Sequence, residues 1–300
     1  MRVNPNMVPD ILADLQQSQA AVNTALQEVA TGKSVEVPSD NPVAAADMVQ
    51  NTIETANVDQ YTQNVSSMLS MVQAAGSSLG SVVTSLTQAI SLGTEGANGT
   101  NNTSNLQAIA SQVQGILQTV VSQANASYLG TYLFGGTENS SAPYTASSSS
   151  PSGYTYNGNN NVNSVAVGDD MNVQVNLPGS QIFSNSSTDV LGSLSSLVSA
   201  LQSGNSSEIQ SATSAVTTAL NYVSQQQVFY GNAESQLNSQ ETYLQQETVN
   251  LTSQQSSLVD VNEAQAATDL SQAETANNAA EAAAAKVLPD TLLNYLVPTQ

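Results

Sequence analysis

SEIQSATSAVTTALNYVSQQQVFYGNAESQLNSQETYLQQETVNLTSQQSSLVD, residues 207–260, is the stretch that decides the fold. Ile209, Val216, Val223, Tyr230, Leu237, Leu244, Leu251 and Leu258 stand seven apart in it. The complementary positions hold Ala212, Ala219, Gln226, Ala233, Gln240 and Gln254. Two such rows make one narrow stripe along a helix, suited to a single partner helix. At 1.5 Å per residue the helix would be roughly 80 Å long. No small globular domain encloses a rod of that length, so it must lie along other long helices. Its half-polar second row favours small, adaptable contacts over a tight isolated dimer.

The same spacing recurs upstream. Val8, Leu15, Val22 and Val29 stand seven apart, with Ile11, Ser18 and Ala25 between them. That stripe ends at Thr31-Gly32-Lys33, where glycine supplies a left-handed stop. After Val37-Pro38-Ser39-Asp40-Asn41-Pro42 a second helix starts, with Asn41 as N-cap and Pro42 at the first helical position. It runs to about Leu92, with Val58, Val65, Val72, Leu79 and Leu86 on one row and Tyr61, Met68, Ala75, Val82 and Ala89 on the other. A polar turn over 93–104 precedes a third helix from Leu106 to about Ala126, expected to return antiparallel to the second. Residues 262–287 form an Ala-rich helix, followed by Leu292, Leu293, Tyr295 and Leu296. This helix and the first one are each marginal alone in water, and pairing them would bring the chain ends together.

Between about 128 and 187 the period changes to two. Met171, Val173, Val175 and Leu177 alternate with Asn172, Gln174 and Asn176, and Asn157-Gly158 and Pro178-Gly179 mark turns. The expected fold is therefore mainly α: a long antiparallel helical bundle or coiled coil with a small β-rich insert in mid-chain. Its expected divisions are a terminal assembly part (1–41 with 259–300), a long-helix rod (42–136 with 188–258) and an outer insert (137–187).

Composition excludes most chemistry. The 300 residues carry 3 Lys+Arg against 23 Asp+Glu, a net charge of −20, with no His, Cys or Trp. So few cations cannot neutralise a phosphate backbone or an anionic bilayer, which argues against nucleic acid and membrane as partners. Without His or Cys there are no ordinary Zn, Fe–S or haem sites, no Cys or Ser–His nucleophile and no disulfides. Neither an apolar signal segment nor an ~18-residue apolar run is present. Asp169-Asp170 is the densest carboxylate pair, and its place after Gly168 between strand-like runs marks a turn rather than a glycosidase or Ca²⁺ site. Met68, Met71, Tyr61, Tyr230 and Tyr295 sit at helical spacing as core fillers. No catalytic, cofactor or metal residue is assigned.

The break after the first helix carries a resemblance. Thr31-Gly32-Lys33 followed by Pro38-Ser39-Asp40-Asn41-Pro42-Val43-Ala44-Ala45-Ala46 resembles the signature of the flagellin superfamily. Met1-Arg2-Val3, Tyr132-Leu133-Phe134-Gly135-Gly136-Thr137, Ala266-Ala267-Thr268-Asp269-Leu270 and the end Leu292-Leu293-Asn294-Tyr295-Leu296 resemble its hook–filament junction branch, the third hook-associated proteins. Ser34-Val35-Glu36-Val37 departs from the family, which usually has a basic residue there. The resemblance implies a non-enzymatic structural subunit of the extracellular flagellum that joins hook to filament as an adapter ring. It implies export through the flagellar type III apparatus with a chaperone, and contacts with itself, a neighbouring hook-associated protein and flagellin. It makes Gly32, Lys33, Pro38, Ser39, Asp40 and Pro42 family-motif positions. The assembly seams expected with it are Val8, Ile11, Leu15, Val22, Val29, Leu237, Leu244, Leu251, Leu258, Leu292, Leu293, Tyr295 and Leu296. The alternatives are a filament subunit, a secreted coiled-coil adhesin and, from another class, a secreted acidic hydrolase. A surface rich in Ser, Thr, Asn and Gln with few charges changes little in acid, which suggests an acidic external habitat.

Overall fold

The computed structural model describes residues 7–185 and 188–296, and side chains over 9–185 and 188–286. The chain divides into two compact units, 1–56 with 248–300, and 57–247. Most described residues are helical, in a flagellin-like arrangement with small sheets in the middle. The long helices are α1 (Met7–Thr31), α2 (Pro42–Gly96), α3 (Thr103–Ala124), α6 (Ser206–Val259) and α7 (Glu263–Leu296). The expected helix over 207–260 thus forms within one residue at each end. The backbone of α7 stays helical through Pro289, beyond the expected end near 287.

In the terminal unit α1 and α7 pack antiparallel along their length. Ile11, Leu15, Ser18, Val22 and Ala25 turn inward from α1, and Ala266, Leu270, Ala273, Asn277, Ala280 and Ala284 from α7. Large side chains thus meet a row made mostly of alanine, which permits close approach but removes little apolar area per turn. Asn277 donates to Glu281 Oε1 at 3.0 Å, while its own buried Oδ1 has no partner.

In the unit spanning 57–247 the apolar rows close on one another. Val65, Val72, Leu79, Leu86, Ile209, Val216, Val223 and Leu237 are all at most 1% exposed. Helix α3 returns along α2: Ser78 Oγ donates to the main-chain and side-chain oxygens of Gln123 at 3.0 Å each. A helix absent from the sequence reading, α5 (Val190–Ser203), packs against α3. Asp189 caps it by accepting from Gly192 N at 2.9 Å, and Gly204 ends it in the left-handed region.

The strand-rich segment is a set of separate antiparallel pairs rather than one continuous sheet. The pairs are β1 (Ser127–Tyr128) with β2 (Thr131–Tyr132), β3 (Tyr144–Ala146) with β4 (Tyr154–Tyr156), β5 (Ser164–Gly168) with β6 (Met171–Gln174), and β7 (Ser184–Asn185) with β8 (Thr188–Asp189). Isolated pairs of this size are not stable alone. Aromatic packing holds them to the helices. Phe134 and Phe183, both 0% exposed, meet edge-to-face with centroids 5.4 Å apart. Tyr230 of α6 meets Phe134 at 6.4 Å, and Tyr144 meets Phe183 at 5.9 Å. The Tyr230 hydroxyl accepts from Leu177 N at 3.1 Å. A one-turn helix, α4 (Gly179–Ile182), begins where only glycine fits, because a Cβ at Gly179 would lie 2.9 Å from Phe134 O and 3.0 Å from the rings of Tyr144 and Tyr156.

Phe134→Ala should therefore cost about 3–5 kcal/mol and loosen the β pairs first, as measured by urea unfolding followed through tyrosine fluorescence. Burial raises the Tyr230 pKa above its ordinary 10.0. A group whose folded pKa is raised stabilises fully below its unfolded pKa, so this contribution is complete below pH 10.0 and falls as pH rises beyond it. Tyr230→Phe should flatten the alkaline limb of a stability profile.

Candidate assembly site

The conserved chemistry of a catalyst is not what the family-motif residues build; they build a clasp. Gly32 adopts φ +70 and its N–H closes the end of α1 on Glu28 O at 2.9 Å. The chain then runs beside the segment that joins α6 to α7. Ser34 donates to Val259 O from N at 2.7 Å and from Oγ at 3.0 Å, and Val261 N donates to Gly32 O at 3.0 Å. Lys33 and Asp260 form the intervening antiparallel bridge. Val35 and Val259 are buried under it.

Beyond the bridge, Pro38 and Ser39 form a turn that Asp40 ties down. Its carboxylate accepts from Glu36 N at 3.1 Å and Val37 N at 3.0 Å, and its own N–H donates to Val37 O. Those backbone bonds hold the Asp40 pKa below its ordinary 3.8. Asn41 Oδ1 then accepts from Ala44 N at 3.1 Å, capping α2 with Pro42 as its first residue. A cleft of about 310 Å³ opens beside the turn, lined by Gln27, Glu28, Lys33, Glu36 and Asp40 among others. Gln27 donates to Glu36 across it.

The expected seams fall in different places. Ile11, Leu15 and Val22 are half-buried against α7, whereas Val29 is 41% exposed. Leu237, Leu244 and Leu251 are buried within the chain itself, and Leu258 is half-buried. Helix α7 reaches Leu292, Leu293, Tyr295 and Leu296, whose side chains, with that of Val8, lie outside the described residues. The periodicity did not single out a second set: Leu12 and Leu26 on α1, Val43, Val49 and Ile53 on α2, and Val249 on α6 are exposed, all in the terminal unit. Val43, Val49 and Ile53 share one helix face at 100° per residue. One further polar contact lies in the same unit: Asn51, 2% exposed, donates to Leu251 O at 3.0 Å.

Asp169 and Asp170 form the turn between β5 and β6; Asp169 accepts from the Tyr61 hydroxyl at 3.0 Å, which raises the Tyr61 pKa. Among the described residues no cluster of acidic side chains is arranged to hold a metal, and no helix is long and apolar enough to cross a membrane.

An antiparallel terminal helix pair clasped at a Gly32–Asp40 turn, with a β-rich middle, is the architecture of a flagellar subunit. The bacterial flagellin N-terminal helical region matches residues 3–139 and the bacterial flagellin C-terminal helical region matches residues 213–296, so the chain belongs to the flagellin superfamily. That family is a structural component of the flagellum. Among solved structures the chain is similar to a putative flagellar hook-associated protein from Vibrio parahaemolyticus, at 20% identity over 72% of this chain and 98% of that one, with a TM-score of 0.66. It is similar to Bacillus cereus FlgL, at 23% identity over 69% and 99%, TM-score 0.60. It also resembles the flagellar junction protein FlgL from Legionella pneumophila, at 13% identity over 71% and 100%, TM-score 0.60. No curated protein sequence matches it.

Asp40 has a depressed pKa, so the turn it ties is fully stabilised above pH 3.8 and loses that support as pH falls through the lower folded value. In an NMR titration the Glu36 and Val37 amide shifts should move together with a midpoint below 3.8. Asp40→Ala should abolish that transition and leave the aromatic cluster of residues 57–247 intact.

Proposed function

We propose that this chain is the adapter subunit that joins the flagellar hook to the filament. Copies form a ring that meets a hook-associated neighbour on one side and the first flagellin layer on the other. The observation that carries this reading is the terminal helix pair, which spends one narrow stripe on its own partner and leaves Leu12, Leu26, Val43, Val49 and Ile53 uncovered. Apolar surface of that kind belongs to an interface. Support comes also from the solved hook-associated and junction proteins, whose whole lengths are spanned by the similarity. On this reading residues 1–41 with 259–300 form the axial assembly part, 42–136 with 188–258 the rod, and 137–187 the outward insert. The chain leaves the cell through the flagellar type III apparatus, escorted by a chaperone, and works outside it without catalysis. Its two apolar surfaces, the seam and the uncovered face, meet unlike neighbours, so bending of the hook is isolated from the stiff filament.

A filament subunit is the second reading, favoured by the match to both flagellin terminal regions. Deleting the gene separates the two. An adapter's loss leaves hooks intact and filament protein shed into the medium; normal attached filaments would overturn the proposal. Absence of the filament protein itself would favour the second reading. The alanine-faced α1/α7 pair is marginal in isolation. Limited proteolysis of the purified monomer should therefore trim residues 1–31 and 263–300 first, and the same segments should resist in isolated flagella. Protease-resistant ends in solution would favour a free coiled-coil adhesin.

A further inference from the structure

Leu129 breaks two local rules at once. It sits at φ 49 beside Gly130 at φ 81, in the two-residue turn joining β1 to β2. Such turns call for Asn, Asp or Gly, because a branched side chain is strained in the left-handed region. Its side chain is also 88% exposed, more than any other large apolar residue described. No contact within its own chain compensates for either cost. Strain that persists at an exposed apolar residue points to a partner.

A receptacle lies on the same unit. Helices α2 and α6 leave a groove of about 480 Å³ lined by Val72, Gly76, Gly80, Tyr230 and Gly231, with Glu234 at one end. A Cβ built on Gly231 meets nothing within 4 Å, so the groove is open there. Glu234 is its one charged wall, and it accepts from Gln73 Nε2 at 2.9 Å. Leu129 is not among the groove's walls, so the chain does not fill its own groove.

Charge and level both select a second copy as the occupant. Residues 57–247 contain ten carboxylates and no Lys or Arg. Two such surfaces repel unless they meet through uncharged patches. The hairpin over 127–132 carries no charge, and the groove only the hydrogen-bonded Glu234. The bond from Ser78 to Gln123, just before the hairpin, sets the hairpin level with residue 78 of α2. The groove is built on residues 72–80 of that same helix. Knob and groove therefore sit at one height. A contact between different patches of identical copies is head-to-tail, and with no offset along the helices it closes into a flat ring rather than climbing as a filament.

We propose that Leu129 of each copy seats in the groove at Gly76, Gly80 and Gly231 of the next, and that this contact closes the ring. The proposal rests on the adapter reading above and adds its lateral contact. The chain has no cysteine, so the double variant Leu129→Cys with Gly231→Cys can be oxidised in isolated flagella and run without reductant. A ladder of linked copies, absent from either single variant, is expected. The double variant present at the hook–filament boundary without a ladder overturns the contact and leaves the adapter reading standing. Absence of even the wild-type chain from that boundary overturns the adapter reading and this contact with it. Leu129→Asn supplies the second measurement, since asparagine suits the left-handed turn. Its monomer should melt no lower than wild type, yet its filaments should shed under shear at least about tenfold faster, the scale expected for losing an interface anchor. Shedding at the wild-type rate overturns the contact.

Discussion

A helix as long as α6 has no interior of its own; every apolar side chain on it must be covered by something lying alongside. That single constraint orders the rest of the molecule. The row Ile209, Val216, Val223, Tyr230, Leu237 is covered because α2 carries a matching row of equal period. Helix α3 can join them because its own row, Leu106, Ile109, Val113, Leu117 and Val120, is buried at the same spacing. Salt bridges have little part in this. With 3 basic residues in 300, register is set by side-chain size and by a few neutral hydrogen bonds, such as Asn51 to Leu251 and Gln240 to Val167. Each is a buried polar group that would be left unpaired by a slipped register, at a cost of ~1–3 kcal/mol.

The rods and the clasp were legible in the sequence for the same reason: their causes are local. A seven-residue apolar row, a Gly at C′, an Asn-Pro helix start and an Asp that ties its own turn are written within a few positions of one another. Helix α5 was equally legible, since Leu191, Leu194, Val198 and Leu201 repeat at helical spacing between Asp189 and Gly204. It was obscured by the serines around it. What could not be read was the anchoring of the β pairs. Phe134, Tyr144, Phe183 and Tyr230 are far apart in the chain, and nothing local says that they share a core. The periodicity also distinguishes poorly between a row covered by the same chain and one left for a neighbour. Leu244 and Leu251 are buried at home, while Leu12 and Leu26, off the main stripe, are exposed.

The scarcity of aromatic residues gives those few unusual weight. Only 13 of 300 residues carry a ring, as 10 Tyr and 3 Phe. Helix seams here are built from Val, Leu and Ala, which pack at narrow spacing, and rings are kept for the place where short strands without a shared sheet must be held. The same division explains the motif at Tyr132–Thr137. Phe134 enters the core, and Gly135 and Gly136 let the backbone of residues 138 and 159 pass within a distance that any side chain would block.

The clasp between the two linkers also sets an order of events. Ser34 and Val259 lie 225 positions apart, so almost the whole chain must exist before their bond can form. Closing a loop of that length costs ~5 kcal/mol in chain entropy, and contacts of such high sequence separation form late. During synthesis, α1 is made first and waits longest, because the helix that covers it is the last to leave the ribosome. The unit spanning 57–247 can mature from its own contacts while the N-terminal segment is still without its mate. The sequence thereby schedules its own ends as the final part to settle.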